Sequence, residues 1–244
     1  MKTGIVIQAR TGSTRLPGKV LLPVGGRSVL ELCAVRAARS KRAGLLVIAT
    51  TDKASDDPIA REAERLGVPC VRGSEEDVLA RYRLAALAHD LDVICRVTSD
   101  CPLIDPDVLD GVFDVFSGGS YDYVSNALRR TFPRGLDAEV FSRSALERTF
   151  AEAKAPEERE HVTPYLYRNP GLFSLGSYEA PVDLSHCRWT VDEAADLEFV
   201  RQVAARFGDR LVRAGYREIA ALLDREPEVA RINAHVAQKE VGRR

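Results

Sequence analysis

Apolar positions along this chain fall into two patterns. Short continuous apolar runs at residues 4–9 (GIVIQA), 45–51 (LLVIATT), 68–71 (VPCV) and 92–98 (DVICRVT) predict strands covered on both faces. Between them, apolar residues recur at helical spacing. Leu30, Cys33 and Ala37 form a stripe behind Ser28, whose hydroxyl suits a helix N-cap. Asp57 and Pro58 read as the N-cap and first position of a second helix that stops at Gly67. Ser74 opens a third helix, with Asp77 completing a weak capping box and Leu79, Tyr82 and Ala86 on one face. Asp105 and Pro106 start a fourth.

This strand–helix alternation with short connections predicts an α/β fold: a Rossmann-like, mostly parallel sheet with helices on both faces. Ligands of such sheets bind beyond the carboxyl ends of the strands. The informative loops are therefore residues 10–19, 50–57, 72–77 and 99–105. After residue 120 the rhythm changes. Residues 121–127 and 136–141 read as strands, 142–154 and 156–169 as helices, and 173–178 and 186–191 as strands again. This stretch predicts an excursion that returns to the sheet. Leu197, Val200, Ala204 and Phe207 then mark a late helix. With no repeat and no clear linker, residues 1–244 read as one domain with an embedded arm at about 125–180.

Charge narrows the class. The chain carries 35 Lys and Arg against 36 Asp and Glu, which argues against a general nucleic-acid or anionic-membrane binder. No apolar run approaches the ~20 residues that span a bilayer. The first residues lack the long apolar stretch of a signal peptide, so the expected compartment is the cytoplasm. The five cysteines are widely spaced and form no CxxC pair, which argues against a disulfide framework or a zinc site. Cys101, beside Asp100, is the one cysteine near an informative loop, and no histidine lies near it in sequence.

The charge is unevenly placed. The first 30 residues contain Lys2, Arg10, Arg15, Lys19 and Arg27 and no acid. Three of these cations fall in one loop, QARTGSTRLPGK, with Gly12, Ser13, Thr14 and Gly18 between them. Guanidinium forks and closely approaching backbone N–H groups suit phosphate oxygens. The loop is not a Walker A motif, because five residues separate Gly12 from Gly18 and Val20 follows Lys19. It also lacks GxGxxG. A basic surface loop without a ligand is the alternative, and the position just past the first strand favours the phosphate reading.

The run 8–19 is similar to the signature of cytidylyltransferases that activate sugar acids. These include the CMP-sialic acid and CMP-KDO synthetases and, most similar, the spore-coat-polysaccharide cytidylyltransferase-like branch. Further stretches resemble that branch in order: ATTDKASDDPIA (49–60), RGSEEDVLARY (72–82), RVTSDCPLID (96–105), FPRGLDAEVFS (132–142), EREHVTPYLY (158–167) and RWTVDEAADLE (188–198). The resemblance spans about residues 4–200. It implies a nucleotide-diphospho-sugar-transferase-like fold and a Mg²⁺-dependent transfer of CMP from CTP to a small acidic acceptor, with loss of pyrophosphate.

The resemblance also implies roles. Gln8, Ala9, Arg10, Gly12, Ser13, Arg15 and Lys19 would hold the nucleotide, joined by Thr51, Asp52, Arg72, Ser74 and Asp100. Arg10, Arg15, Lys19 and Asp100 would carry catalysis, and Asp100 and Asp192 the metal. By residue type alone Asp192 fits a helix N-cap as well as a ligand, and Asp100 fits a turn before Pro102. The pair Asp56 and Asp57 reads as helix capping. Arg134, Asp137, Glu139, Arg159 and His161 are expected on the acceptor side, where arginine matches a carboxylate and the others match hydroxyls. The general base is left open between a metal-activated acceptor hydroxyl and His161, the protein's own candidate, for which a purely structural histidine is the competing reading. The expected assembly is a homodimer through the embedded arm. The alternative function is a GT-A-type glycosyltransferase using a ready-made nucleotide sugar, although the expected Asp-x-Asp occurs only as Asp105-Pro106-Asp107, which reads as a helix start.

Overall fold

The first apolar run forms β1 (Thr3–Gln8), which lies centrally in a seven-stranded sheet. β2 (Pro23–Val24) and β3 (Arg27–Ser28) make a small separate hairpin before α1 (Val29–Ala37). Ser28 caps α1 by accepting from the Glu31 N–H, as its sequence suggests. The chain continues through β4 (Leu45–Thr51), α2 (Asp57–Arg65), β5 (Cys70–Gly73), α3 (Val78–Ala88), β6 (Val93–Thr98) and α4 (Pro106–Gly118). The computed structural model describes residues 1–238, so residues 239–244 of the expected domain lie outside the described residues.

The sheet order is β5-β4-β1-β6-β8-β7-β9, adding β7 (Tyr123–Ser125), β8 (Glu139–Ser142) and β9 (Leu175–Ser177). β1 pairs in parallel with β4 on one side and β6 on the other. Only β8 runs against the rest, pairing antiparallel with both β6 and β7. The chain builds β1, β4 and β5 outward in one direction and then crosses back to β6. That reversal opens a crevice at the carboxyl ends of β1 and β6, where a ligand of such a sheet fits.

Alternate residues of the central strands feed two cores. Ile5, Ile7, Ile48 and Cys95 pack beneath α1, α2 and α4. Val6, Val47, Ala49 and Ile94 pack on the other face against α3, α5 (Arg143–Glu152) and α7 (Pro164–Arg168). Burial on both faces explains why these strands read as unbroken apolar runs. A third cluster joins Val29 and Leu32 of α1 to Trp189, Val191 and α8 (Ala194–Phe207), with α9 (Tyr216–Arg225) and α10 (Pro227–Arg231) closing it.

Several boundaries differ from the sequence reading. The third helix starts at Asp77, whose carboxylate accepts from the Ala80 N–H, while Ser74 only accepts from the Asp77 N–H. The expected helix at 156–169 is two, α6 (Pro156–His161) and α7, broken at Val162. Val162 has φ 72°, a costly conformation for a β-branched residue. The break lets the Thr163 hydroxyl donate to buried Glu139 at 2.6 Å. Residues 186–191 form no strand: one bridge joins Arg188 to Arg134, and the segment is buried by α8 rather than by pairing. Gly135, at φ 103°, makes this contact possible, since a Cβ there would lie 2.6 Å from the Trp189 carbonyl carbon. Of the expected embedded arm at 125–180, β8 and β9 join the sheet. No described helix is long and apolar enough to cross a membrane.

Candidate active site

A cavity of about 410 Å³ opens at the crevice between β1 and β6. The loop after β1 forms one wall, and its shape is set locally. The Gly18 N–H donates to the Thr11 carbonyl at 3.0 Å, and Gly18 itself takes φ 67°, a left-handed conformation. The Leu16 N–H donates to the Ser13 hydroxyl. Asp56 pins the loop from beneath. Its carboxylate accepts from the Thr11 N–H at 2.8 Å, the Thr11 hydroxyl at 2.5 Å and the buried Thr51 hydroxyl. Burial pushes the Asp56 carboxyl up, but these hydrogen bonds outweigh it and hold the group below its usual range. Asp56 occupies the N-cap position of α2 yet caps nothing, and Asp57 pairs with Arg72 at 2.7 Å, so neither carboxylate does the capping expected of the pair.

At the cavity this loop meets residues far apart in sequence. Lys19 Nζ donates to Asp100 Oδ2 at 2.7 Å and to Asp192 Oδ1 at 2.8 Å. Arg15 reaches the same Asp192 oxygen at 3.0 Å, and Arg188 donates to its other oxygen at 2.7 Å. The Thr98 hydroxyl fixes Asp100 by donating to Oδ1 at 2.6 Å. Backbone pairing sets the spacing of the two aspartates, because the Val191 N–H donates to the Asp100 carbonyl at 2.8 Å. Burial alone would lower the Lys19 pKa, but Asp100 and Asp192 overcome it and the ammonium is held above its ordinary value. Burial likewise opposes ionised Asp192, and Lys19, Arg188 and Arg15 together pull its pKa down.

The two readings of Asp192 separate here. At the start of α8 the N–H groups of Asp192 and Glu193 both donate to Asp196, each at 3.0 Å. Asp192 is thereby released from capping and faces the cavity. Among the described residues no group of three His, Cys, Asp or Glu could cage a metal. Two carboxylates converging on one cation nevertheless fit Mg²⁺, which takes one or two protein carboxylates and completes its shell with phosphate oxygens and water.

The remaining residues named from the sequence divide clearly. Gln8, Ala9, Arg10, Gly12, Ser13 and His161 line the cavity with the cluster just described. Thr51, Asp52, Arg72 and Ser74 do not. Arg72 donates to the Thr51 and Lys53 carbonyls, and Asp52 is exposed. Arg159 pairs with Asp77 and lies over the Phe150 ring. Asp137 accepts a fork from Arg130 at 2.6 and 2.8 Å. Glu139 is buried among Arg96, Tyr123 and Thr163. Arg134 lies by a separate cavity with Arg188 and Trp189. Cys101 is buried, and burial pushes its thiol well above the ordinary value, which suits packing and not nucleophilic attack.

Sequence reasoning passed over Arg81, Glu160 and Ser99 on the cavity wall and Arg188 behind it, and read Asp56, which pins the loop, as a helix cap. Arg96 carried a visible signal, a cation between the apolar residues Val93, Ile94, Cys95 and Val97. It donates to Gln8 and Glu139.

The sequence pattern of the cytidylyltransferase family matches residues 4–222. The chain is 36% identical over 234 residues to the spore coat polysaccharide biosynthesis protein SpsF of Bacillus subtilis, covering 92% of this chain and 95% of that one. A solved cytidylyltransferase of Leptospira borgpetersenii serovar Hardjo-bovis superposes with a TM-score of 0.91 at 36% identity, covering 98% of this chain and 99% of the other. The structure of a CMP:2-keto-3-deoxy-manno-octonic acid synthetase complexed with CTP shares the fold, with a TM-score of 0.65 at 19% identity over 84% of this chain and 99% of that one. The chain belongs to the cytidylyltransferase family and is a nucleotidyltransferase.

Proposed function

We propose that this protein transfers CMP from CTP to a hydroxyl of a small acidic acceptor, a nonulosonic or KDO-like sugar acid or a related acid, in a Mg²⁺-dependent reaction. The observation that carries this reading is Lys19 Nζ held between Asp100 and Asp192, with Arg15 beside it, in the lining of the cavity. The acceptor oxygen forms a bond to the α-phosphorus as the bond from that phosphorus to pyrophosphate breaks. Charge builds on the non-bridging and leaving oxygens, so positioned cations carry much of the catalysis. Arg15 and Lys19 offset that charge, and Arg10 and the loop N–H groups orient the triphosphate. A divalent cation held by Asp100 and Asp192 would neutralise phosphate charge when bound.

His161 lines the same cavity. Burial holds its pKa below the ordinary histidine value, leaving a neutral imidazole at pH 7 that can accept the acceptor hydroxyl's proton. The CMP:2-keto-3-deoxy-manno-octonic acid synthetase among the similar structures supports an acidic acceptor, and the cytoplasm is the proposed compartment, consistent with five free cysteines. The assembly proposed is a homodimer through residues 125–180, where Leu128 and Leu172 are exposed. Light scattering at micromolar concentration is expected to give twice the chain mass, and a monomer contradicts it.

The test is a pyrophosphate-release screen of four nucleoside triphosphates against sugar acids and phosphonates. Release with CTP and an acid is expected. Use of a nucleotide sugar without pyrophosphate release would instead establish the glycosyltransferase alternative.

A further inference from the structure

The cavity has a second cationic wall that the triphosphate does not need. Arg81 lines it from α3 and is only 2% exposed. Its Nη1 donates to the Ala49 carbonyl at 3.2 Å, an oxygen already accepting from the Ala9 N–H at 3.0 Å. Its Nε is buried with no partner. No carboxylate among the described residues pairs with this guanidinium. A buried, half-satisfied charge is costly unless something completes it. Burial accordingly lowers the Arg81 pKa. The side chain is also given room: a Cβ on Gly73 would lie 3.1 Å from Arg81 Cγ.

Position says what completes it. Ala49 lies on β4 and Asp100 follows β6, with β1 between them. Two strand spacings separate these walls by about 10 Å. A nucleotide whose phosphates sit at Lys19 and Asp100 therefore extends its base toward Arg81. The surfaces there, Ala9 and Val78, are small or apolar and suit a flat ring. Arginine only donates, in a planar fork. Cytosine presents two adjacent acceptors, O2 and N3, whereas the N3 of uracil carries a proton.

Resting on the nucleotide reading above, we propose that Arg81 reads the base, donating to cytosine O2 and N3 and thereby selecting CTP over UTP. Arg72, tied to two backbone carbonyls and Asp57, is not available for this role.

The experiment is calorimetric titration, in the presence of Mg²⁺, with CTP, UTP and a CTP analogue whose ring nitrogen N3 is replaced by carbon. Binding needs no known acceptor. The wild type is expected to bind CTP roughly 10- to 100-fold more tightly than the other two. Arg81→Met should bring all three within a few-fold of one another, with an unliganded melting temperature at or above that of the wild type. Arg81→Lys keeps the charge without the fork and should lose the same selectivity. A wild type that binds CTP and the analogue alike overturns the proposal, as does Arg81→Met with the wild-type ratio. A wild type that binds no nucleotide overturns the nucleotide reading and, with it, this one.

Discussion

The two ends of the proposed reaction are built differently. On the β6 side of the cavity, charges from distant parts of the chain converge on one point: Lys19, Asp100 and Asp192 meet within 2.8 Å. On the side expected to take the acceptor, Arg159, Asp137 and Glu139 are each committed to a structural partner. The first arrangement is poised for an exchange of partners, because a triphosphate and its metal can replace an ammonium between two carboxylates. The second arrangement is a frame. Charge type alone does not distinguish them; partners do.

The contrast breaks first at the two carboxylates proposed to hold the metal. Asp100→Asn or Asp192→Asn is expected to cut pyrophosphate release by roughly 10²–10³-fold with the fold retained. Steady-state rates beside a thermal melt check this, and near-wild-type turnover by either variant removes the carboxylates from the chemistry. Asp56→Ala comes next. It strips the Thr11 N–H and two hydroxyls of their acceptor, so a destabilisation of about 1.5–3 kcal/mol and a raised KM for CTP are expected. Denaturant unfolding measures the first and kinetics the second.

Protonation sharpens the comparison. The Asp56 pKa is lowered in the folded state, so its contribution is complete above the ordinary carboxylate value of 3.8 and fades as pH falls through the folded value. Asp56→Asn should flatten that acidic part of the stability profile. The His161 pKa is lowered from 6.5, so the acid limb of the rate profile should lie below pH 6.5 and disappear in His161→Gln. A limb unchanged in that variant removes His161 as the base. The smallest effect is expected from Arg159→Ala: CTP kinetics within about threefold of wild type, and a stability loss of ~1 kcal/mol from its packing and part-exposed ion pair. A large change in acceptor KM would move Arg159 from the frame into the site.

The same distinction explains what the sequence made legible. Strands β1, β4 and β6 were readable because both faces are buried, and the loop after β1 because its cations and glycines are contiguous. Asp100 and Asp192 were located through family resemblance, yet their pairing across one lysine depends on a backbone hydrogen bond between residues 191 and 100. Residues 186–191 misled because Trp189 and Val191 are buried by α8, which produces the alternation of a strand without a neighbouring strand. Arg72 misled because its partners, the Thr51 and Lys53 carbonyls, belong to the end of β4 and the turn beyond it. Arg81 gave no local sign, since its significance lies in a counter-ion that is missing.

The central claim is that the cation between the two aspartates is a triphosphate contact, and Lys19→Ala tests it most directly. Calorimetry with CTP and Mg²⁺, run beside the wild type, is expected to show at least roughly tenfold weaker binding in a variant that still melts cooperatively. Unchanged CTP affinity in a folded Lys19→Ala protein would contradict the account.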